Sequence, residues 1–213
     1  MLRISMLIAA AAAVLVLTAG CNDGTMSPAG GTDSQTLAGQ MADVALESDL
    51  ITEQMVGDEL DAMESATEPR SGEGSGTVTH DVTFSRTRTC PLGGQIQLEG
   101  SIHRTKDFAT GVMEAEAEGS RTRTDCAFQR REFTIVVNSS AEWDKFRRRI
   151  DGVPDGLQTS HYAGSSLAVR SDGEERSCEF EVTVVRDPET HTRTLDGMIC
   201  GTEVHRSVTW SYE

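Results

Sequence analysis

Two stretches of this 213-residue chain alternate arginine with threonine: Ser85-Arg86-Thr87-Arg88-Thr89 and, 35 residues on, Ser120-Arg121-Thr122-Arg123-Thr124. Each runs into a cysteine, Cys90 in the first case and Cys126 in the second. In an extended chain alternate residues share a face. Arg86 and Arg88 therefore continue the face of His80, Val82 and Phe84, and Arg121 and Arg123 continue that of Met113, Ala115 and Ala117. Four guanidiniums, each a planar fork of donors, would then ring one mouth of the β structure, an arrangement suited to an anionic ligand. The competing expectation is that they pair with Glu114, Glu116 and Glu118 or with an acidic helix nearer the N-terminus.

The second chemistry-bearing set is Cys90, Cys126, Cys178 and Cys200, which make two disulfides if the chain meets an oxidising compartment. Four cysteines allow three connectivities. Cys178 and Cys200 lie nearly symmetrically about the turn Asp187-Pro188-Glu189, and Cys90 and Cys126 are centred on Phe108. That symmetry points to the pairs Cys90–Cys126 and Cys178–Cys200. Zinc is disfavoured because no Cys-x-x-Cys spacing occurs.

Other chemistry finds little footing. His80, His103, His161, His191 and His205 lack metal spacing, and there is no Gly-x-Ser-x-Gly, His-Glu-x-x-His or Gly-x-x-x-x-Gly-Lys. Asp151 to Gly156 resembles part of a calcium loop, but Val153 and Tyr162 stand where oxygen ligands belong, so it reads as a turn. Met26, Met41, Met55 and Met63 are too scattered to chelate copper locally and read as packing residues. No enzyme activity, cofactor or metal is expected. The basic run Lys145-Phe146-Arg147-Arg148-Arg149 reads as a solvated or helix-docking face.

The elements that must position these residues follow from charge and periodicity. With 34 acidic against 19 basic residues the net charge is −15, which repels phosphate backbones and argues against nucleic acid as a partner. Residues 22–80 carry 12 acidic residues and one base, whereas residues 81–213 carry 22 acidic and 17 basic. In residues 37–64, Leu37, Met41, Val44, Ile51 and Met55 recur at helical steps, widened by Leu46, Leu50, Leu60 and Met63, with Asp43, Glu47, Gln54, Asp58 and Asp61 opposite. This predicts an amphipathic helix. It contains no Lys or Arg and two glycines, Gly39 and Gly57, so it repels itself and needs something to pack against: its own β domain or a partner protein.

Residues 65–77, rich in Gly and Ser around Pro69, read as a linker. From 78 to 213 the pattern alternates like strands, as in Met113 to Glu118, Phe180 to Val184 and Val204 to Tyr212, with turn signals at 106–111, 151–156, 171–173 and 187–189. Seven to nine short antiparallel strands are expected. The fold class is mainly β, an antiparallel β-sandwich or partly closed meander barrel with one N-terminal amphipathic helix.

The first twenty residues carry Arg3, then an apolar run from Met6 to Leu17, then Thr18, Ala19 and Gly20 before Cys21. That is the layout of a secretory signal peptide. Leu17-Thr18-Ala19-Gly20-Cys21 resembles the lipobox of bacterial lipoproteins, with Thr18 where the family most often has Leu. The resemblance implies a thioether-linked diacylglycerol on Cys21, removal of residues 1–20 and acylation of the new amino group, which together give stable membrane attachment. Asn22 in the following position implies the outer membrane. Residues 21–36 would then be a tether reaching up to about 50 Å at about 3.4 Å per residue. Cys90-Pro91-Leu92-Gly93-Gly94 and Ile199-Cys200-Gly201 look similar to patterns in uncharacterised envelope lipoproteins and imply no activity. The expected role is a non-enzymatic one, contacting another envelope protein or serving structurally. The alternative is carriage of a small ligand, an anion if the four arginines hold it.

Overall fold

The computed structural model describes residues 36–66 and 76–210. The expected signal peptide, Cys21, all of the expected tether but Thr36 and most of the expected linker lie outside the described residues. One helix, α1 (Leu37–Ala66), precedes nine strands: β1 (Thr77–Thr89), β2 (Gln95–Asp107), β3 (Val112–Arg130), β4 (Phe133–Ile150), the two-residue β5 (Val153–Pro154), β6 (Gln158–Arg170), β7 (Glu175–Asp187), β8 (Thr192–Ile199) and β9 (Thr202–Thr209). The helix starts at Leu37 and runs two residues past the expected end. β1 begins one residue before 78, inside the expected linker.

The strands form one antiparallel meander in chain order, with β5 a short flap on β4. The mainly β, meander expectation is met by a single open sheet, not by two stacked sheets. Several strands exceed the short lengths expected, β3 and β4 reaching 19 and 18 residues. Because α1 touches β1 and β9 as well as β3, β6, β7 and β8, the sheet curls around the helix. The core lies between α1 and the concave face, and combines Leu37, Val44, Met55 and Leu60 of the helix with Ile96, Ile102, Trp143, Tyr162 and Leu195 of the strands.

Glycine permits that curl. Gly100 and Gly119 stand opposite each other on β2 and β3. A Cβ on Gly119 would sit 1.9 Å from the Glu99 carbonyl oxygen, and one on Gly100 would sit 2.2 Å from that of Glu118. Trp143, opposite Gly119 on β4, covers the bare backbone and meets Phe84 of β1 at 6.2 Å between ring centroids.

A bulge between Arg123 and Cys126 resets the alternation of β3. It is built around Asp125, whose φ is 50° and whose amide donates to the Asn138 side chain at 2.8 Å. Cys126 and Phe128 consequently face inward behind Arg123, and Asp125 is exposed. The two disulfides are Cys90–Cys126 and Cys178–Cys200, with Cα–Cα distances of 5.4 and 4.9 Å. The second staples β7 to the turn that follows β8, where the Cys200 amide also donates to the Glu179 carbonyl, as the hairpin symmetry suggests. The first works differently. Cys90 sits in the β1–β2 turn, which hydrogen-bonds to β3 through Leu92 and Gly93 on either side of Ala127, so the bridge passes the end of β2.

Candidate functional site: the cationic concave face

The sheet sorts its charges by face. Glu114, Glu116 and Glu118 of β3 are exposed on the convex side, while the residues between them are buried. On the concave side Arg104, Arg121, Arg123, Lys145, Arg147, Arg193 and Arg206 are all buried. The arginine repeat explains part of this pattern. The 35-residue offset matches the span from β1 to β3, so Arg86, Leu98 and Arg121 form one cross-strand row and Arg88, Ile96 and Arg123 the next. All four arginines therefore share the concave face, with a layer of aliphatic residues between the two pairs.

What meets these cations is α1. Arg206 donates to Asp43 at 3.0 Å and Arg130 to Glu47 at 2.6 Å. Arg88 donates to Asp58 at 2.6 Å and to Gln54 at 2.8 Å, and Arg86 pairs with Glu59. Arg149 stands 3.8 Å from Asp61. Asp43, Glu47, Asp58 and Asp61, expected on the far side of an amphipathic helix, thus also contact the sheet. The helix is wrapped on most sides rather than laid on one. Glu114 has a different partner, Arg148, at 3.4 Å on the convex side, and none of the four repeat arginines pairs with it.

The centre of the interface is a charge network that the hydrophobic periodicity does not reveal. Asp49 accepts from the Tyr162 hydroxyl at 2.7 Å, with Lys145 and Arg193 each at 3.7 Å. One turn on, Glu53 accepts from Arg193 at 2.6 Å, pairs with Arg186 and lies 3.6 Å from Arg147. Arg147 also donates to the Glu53 backbone carbonyl at 2.9 Å. Burial would raise the Asp49 carboxyl, but Lys145, Arg193, the Tyr162 hydroxyl and Arg121 outweigh it and hold the group below its usual range. Glu53 is lowered in the same way, its burial offset by Lys145, Arg147 and Arg193. Burial pushes the Lys145 amine down to about 8 although Asp49 opposes it, and burial with Asp49 raises the Tyr162 hydroxyl. These groups sit where apolar side chains would ordinarily be. The sequence signal is the spacing of Asp49 and Glu53, four residues apart on a helix that lacks internal cations.

Among the described residues neither Arg121 nor Arg123 makes an ion pair within 4.0 Å, Arg121 acting on Asp49 only from farther away. Arg121 lies over the Tyr162 ring at 4.1 Å and reaches the Thr52 hydroxyl at 3.4 Å. Arg123 makes no hydrogen bond or ion pair among the described residues, and burial and the neighbouring Arg121 push its guanidinium well below its usual value. The four repeat arginines are thus divided between two that clamp the helix and two beneath it. Among the described residues no group of three or more His, Cys, Asp or Glu side chains is placed to hold a metal ion. The convex histidines are each beside a carboxylate: His103 with Asp81 at 2.7 Å, His161 between Asp144 at 3.3 Å and Glu181 at 3.5 Å, and His205 with Asp196 at 2.5 Å. Compared with known protein families, curated proteins and solved structures, the chain matches none.

Proposed function

We propose that this chain is a lipid-anchored bacterial cell-envelope protein with a non-enzymatic role, held to the membrane through Cys21 and working by contact with another envelope protein. The observation that carries this reading is the filling of the concave face by α1. A curved sheet that carried cargo would keep that face open, whereas here helix carboxylates and apolar side chains occupy it. The surface offered outward is the convex one, with Glu118, Glu142, Glu179 and Glu181 exposed around two shallow depressions that share Glu142. Its chemistry fits a partner with a basic surface.

Two measurements test this. Mass spectrometry of the N-terminal peptide should find Cys21 modified by diacylglycerol, and Cys21→Ser should move the protein from the membrane to the soluble periplasmic fraction. Unmodified Cys21 in a protein that still fractionates with membranes refutes the anchor. Photocrosslinkers at Glu142 or Glu181 should trap a protein partner in cells, whereas the same crosslinker at the buried position Val137 should not.

The second reading, carriage of a small anionic ligand, draws on the buried cations. It requires α1 to leave the sheet, since the ion pairs of Arg86, Arg88, Arg193 and Arg206 are made to the helix. Native mass spectrometry separates the readings. A mass adduct lost on denaturation favours carriage, and a bare protein favours contact.

A further inference from the structure

Arg123 is the one buried cation of the repeat that neither stacks nor pairs, and it has polar company. Its cross-strand neighbour on β4 is Ser139, whose neighbour on β6 is Ser166. The three side chains form one row on the concave face, with residue exposures of 5%, 8% and 6%. The Arg123 Nε and both serine hydroxyls lack a hydrogen-bond partner. Arg123 and Ser166 line a small cavity of about 20 Å³, walled by Met41, Val44 and Ala45 of α1 and by Val137, Phe180 and Ile199 of the sheet. Buried donors without acceptors are costly, and a buried guanidinium without a counter-charge more so. Arginine cannot escape that cost by losing its proton.

From this geometry we infer that Arg123, Ser139 and Ser166 form a buried site for a monatomic anion, chloride being the natural occupant. The site supplies one fixed positive charge and the Ser166 hydroxyl at the cavity wall, with the unpaired Ser139 hydroxyl between them in the row. Its walls are otherwise aliphatic and aromatic, which strengthens the attraction by excluding water. The volume holds roughly one water-sized particle, so sulfate, phosphate and carboxylates do not fit. The helix carboxylates are engaged elsewhere, Asp49 by Tyr162, Lys145 and Arg193, and Glu59 by Arg86. Among the described residues no carboxylate is left to balance Arg123, which is the place a bound anion would take. Because Met41, Val44 and Ala45 form the lid, binding is linked to docking of α1.

The test uses the purified protein with its disulfides intact, melted in sodium chloride, bromide or gluconate at constant ionic strength. Gluconate is too large for the cavity. Above the dissociation constant, each tenfold rise in chloride or bromide should raise Tm by about 3–5 °C, with gluconate giving no such rise. Arg123→Met should abolish the halide response. The Ser139→Ala and Ser166→Ala pair, which keeps the charge and is the milder change, should weaken the response at least several-fold. Crystals grown in bromide should show an anomalous peak beside the Arg123 guanidinium. Equal melting in chloride and gluconate overturns the inference, as does an undiminished halide response in either variant or a water in place of bromide.

Discussion

Replacing Asp49 by Asn removes one charge from the middle of the helix–sheet interface and leaves its shape intact. The amide oxygen can still accept from the Tyr162 hydroxyl, now 2.7 Å from Asp49. Lys145 and Arg193, each 3.7 Å away, lose a counter-charge in a place shut off from water. Breaking a buried pair by removing one partner costs about 3–5 kcal/mol. That is a large part of the roughly 5–15 kcal/mol that holds a domain folded. For a chain of this size the loss corresponds to about 6–20 °C in Tm. The assay is thermal or urea unfolding followed by circular dichroism, with Glu116→Gln on the convex face as a control that should stay within about 0.5 kcal/mol of the parent. A double-mutant cycle with Lys145→Met sharpens it. Removing the cation as well should recover about 0.5–3 kcal/mol relative to additivity. If Asp49→Asn unfolds within about 1 kcal/mol of the parent, the helix is held by its apolar contacts alone and the charge network is incidental.

Other perturbations probe separate parts of the fold. Gly119→Ala brings a methyl group within 1.9 Å of the Glu99 carbonyl oxygen and should flatten or split the sheet there, read as a Tm loss and as altered Trp143 fluorescence. Cys178→Ser with Cys200→Ser reopens a closure spanning 22 residues and should cost about 3–4 kcal/mol on the loop-entropy scale, seen equally when the native protein is unfolded with reductant. Acid should destabilise the fold in a defined window. Asp49 and Glu53 are held below their ordinary values of 3.8 and 4.5, so as pH falls the unfolded chain takes up protons first and stability drops below about pH 4.5. Melts between pH 7 and pH 3 check this, and Asp49→Asn should flatten the dependence. Arg88→Gln breaks an exposed pair with Asp58 and should change stability by less than about 1 kcal/mol in unfolding assays.

The consequence for function lies in how the helix is connected. Sixteen residues run from Cys21 to Thr36. If Cys21 carries the lipid, the anchor joins the fold at the end of α1 that packs through Leu37 and Met41. Tension on the tether would act on the element that fills the sheet.

Strand alternation, turn residues and cysteine symmetry were legible in the sequence because each is a local signal. The turns at 106–111, 151–156, 171–173 and 187–189 all separate strands of the meander, and both disulfide pairs occur as the spacing suggests. The shared face of Arg86 with Arg88, and of Arg121 with Arg123, was legible too, since a period of two fixes each pair within its strand, while the common face of the two pairs comes from the register of β1, β2 and β3. Other features were not. The bulge at Asp125 changes which residues of β3 point inward, and it depends on Asn138 of the next strand. The burial of Asp49 and Glu53 depends on Lys145, Arg147, Arg186 and Arg193 arriving from three different strands, and no single segment carries that information. Read alone, an acidic helix face looks solvated. The amino-acid sequence determined the elements and the sign of their charges. Only the tertiary structure decided that the sheet would curl around the helix, because curling brings the cations of distant strands to bear on the same carboxylates and makes their burial affordable.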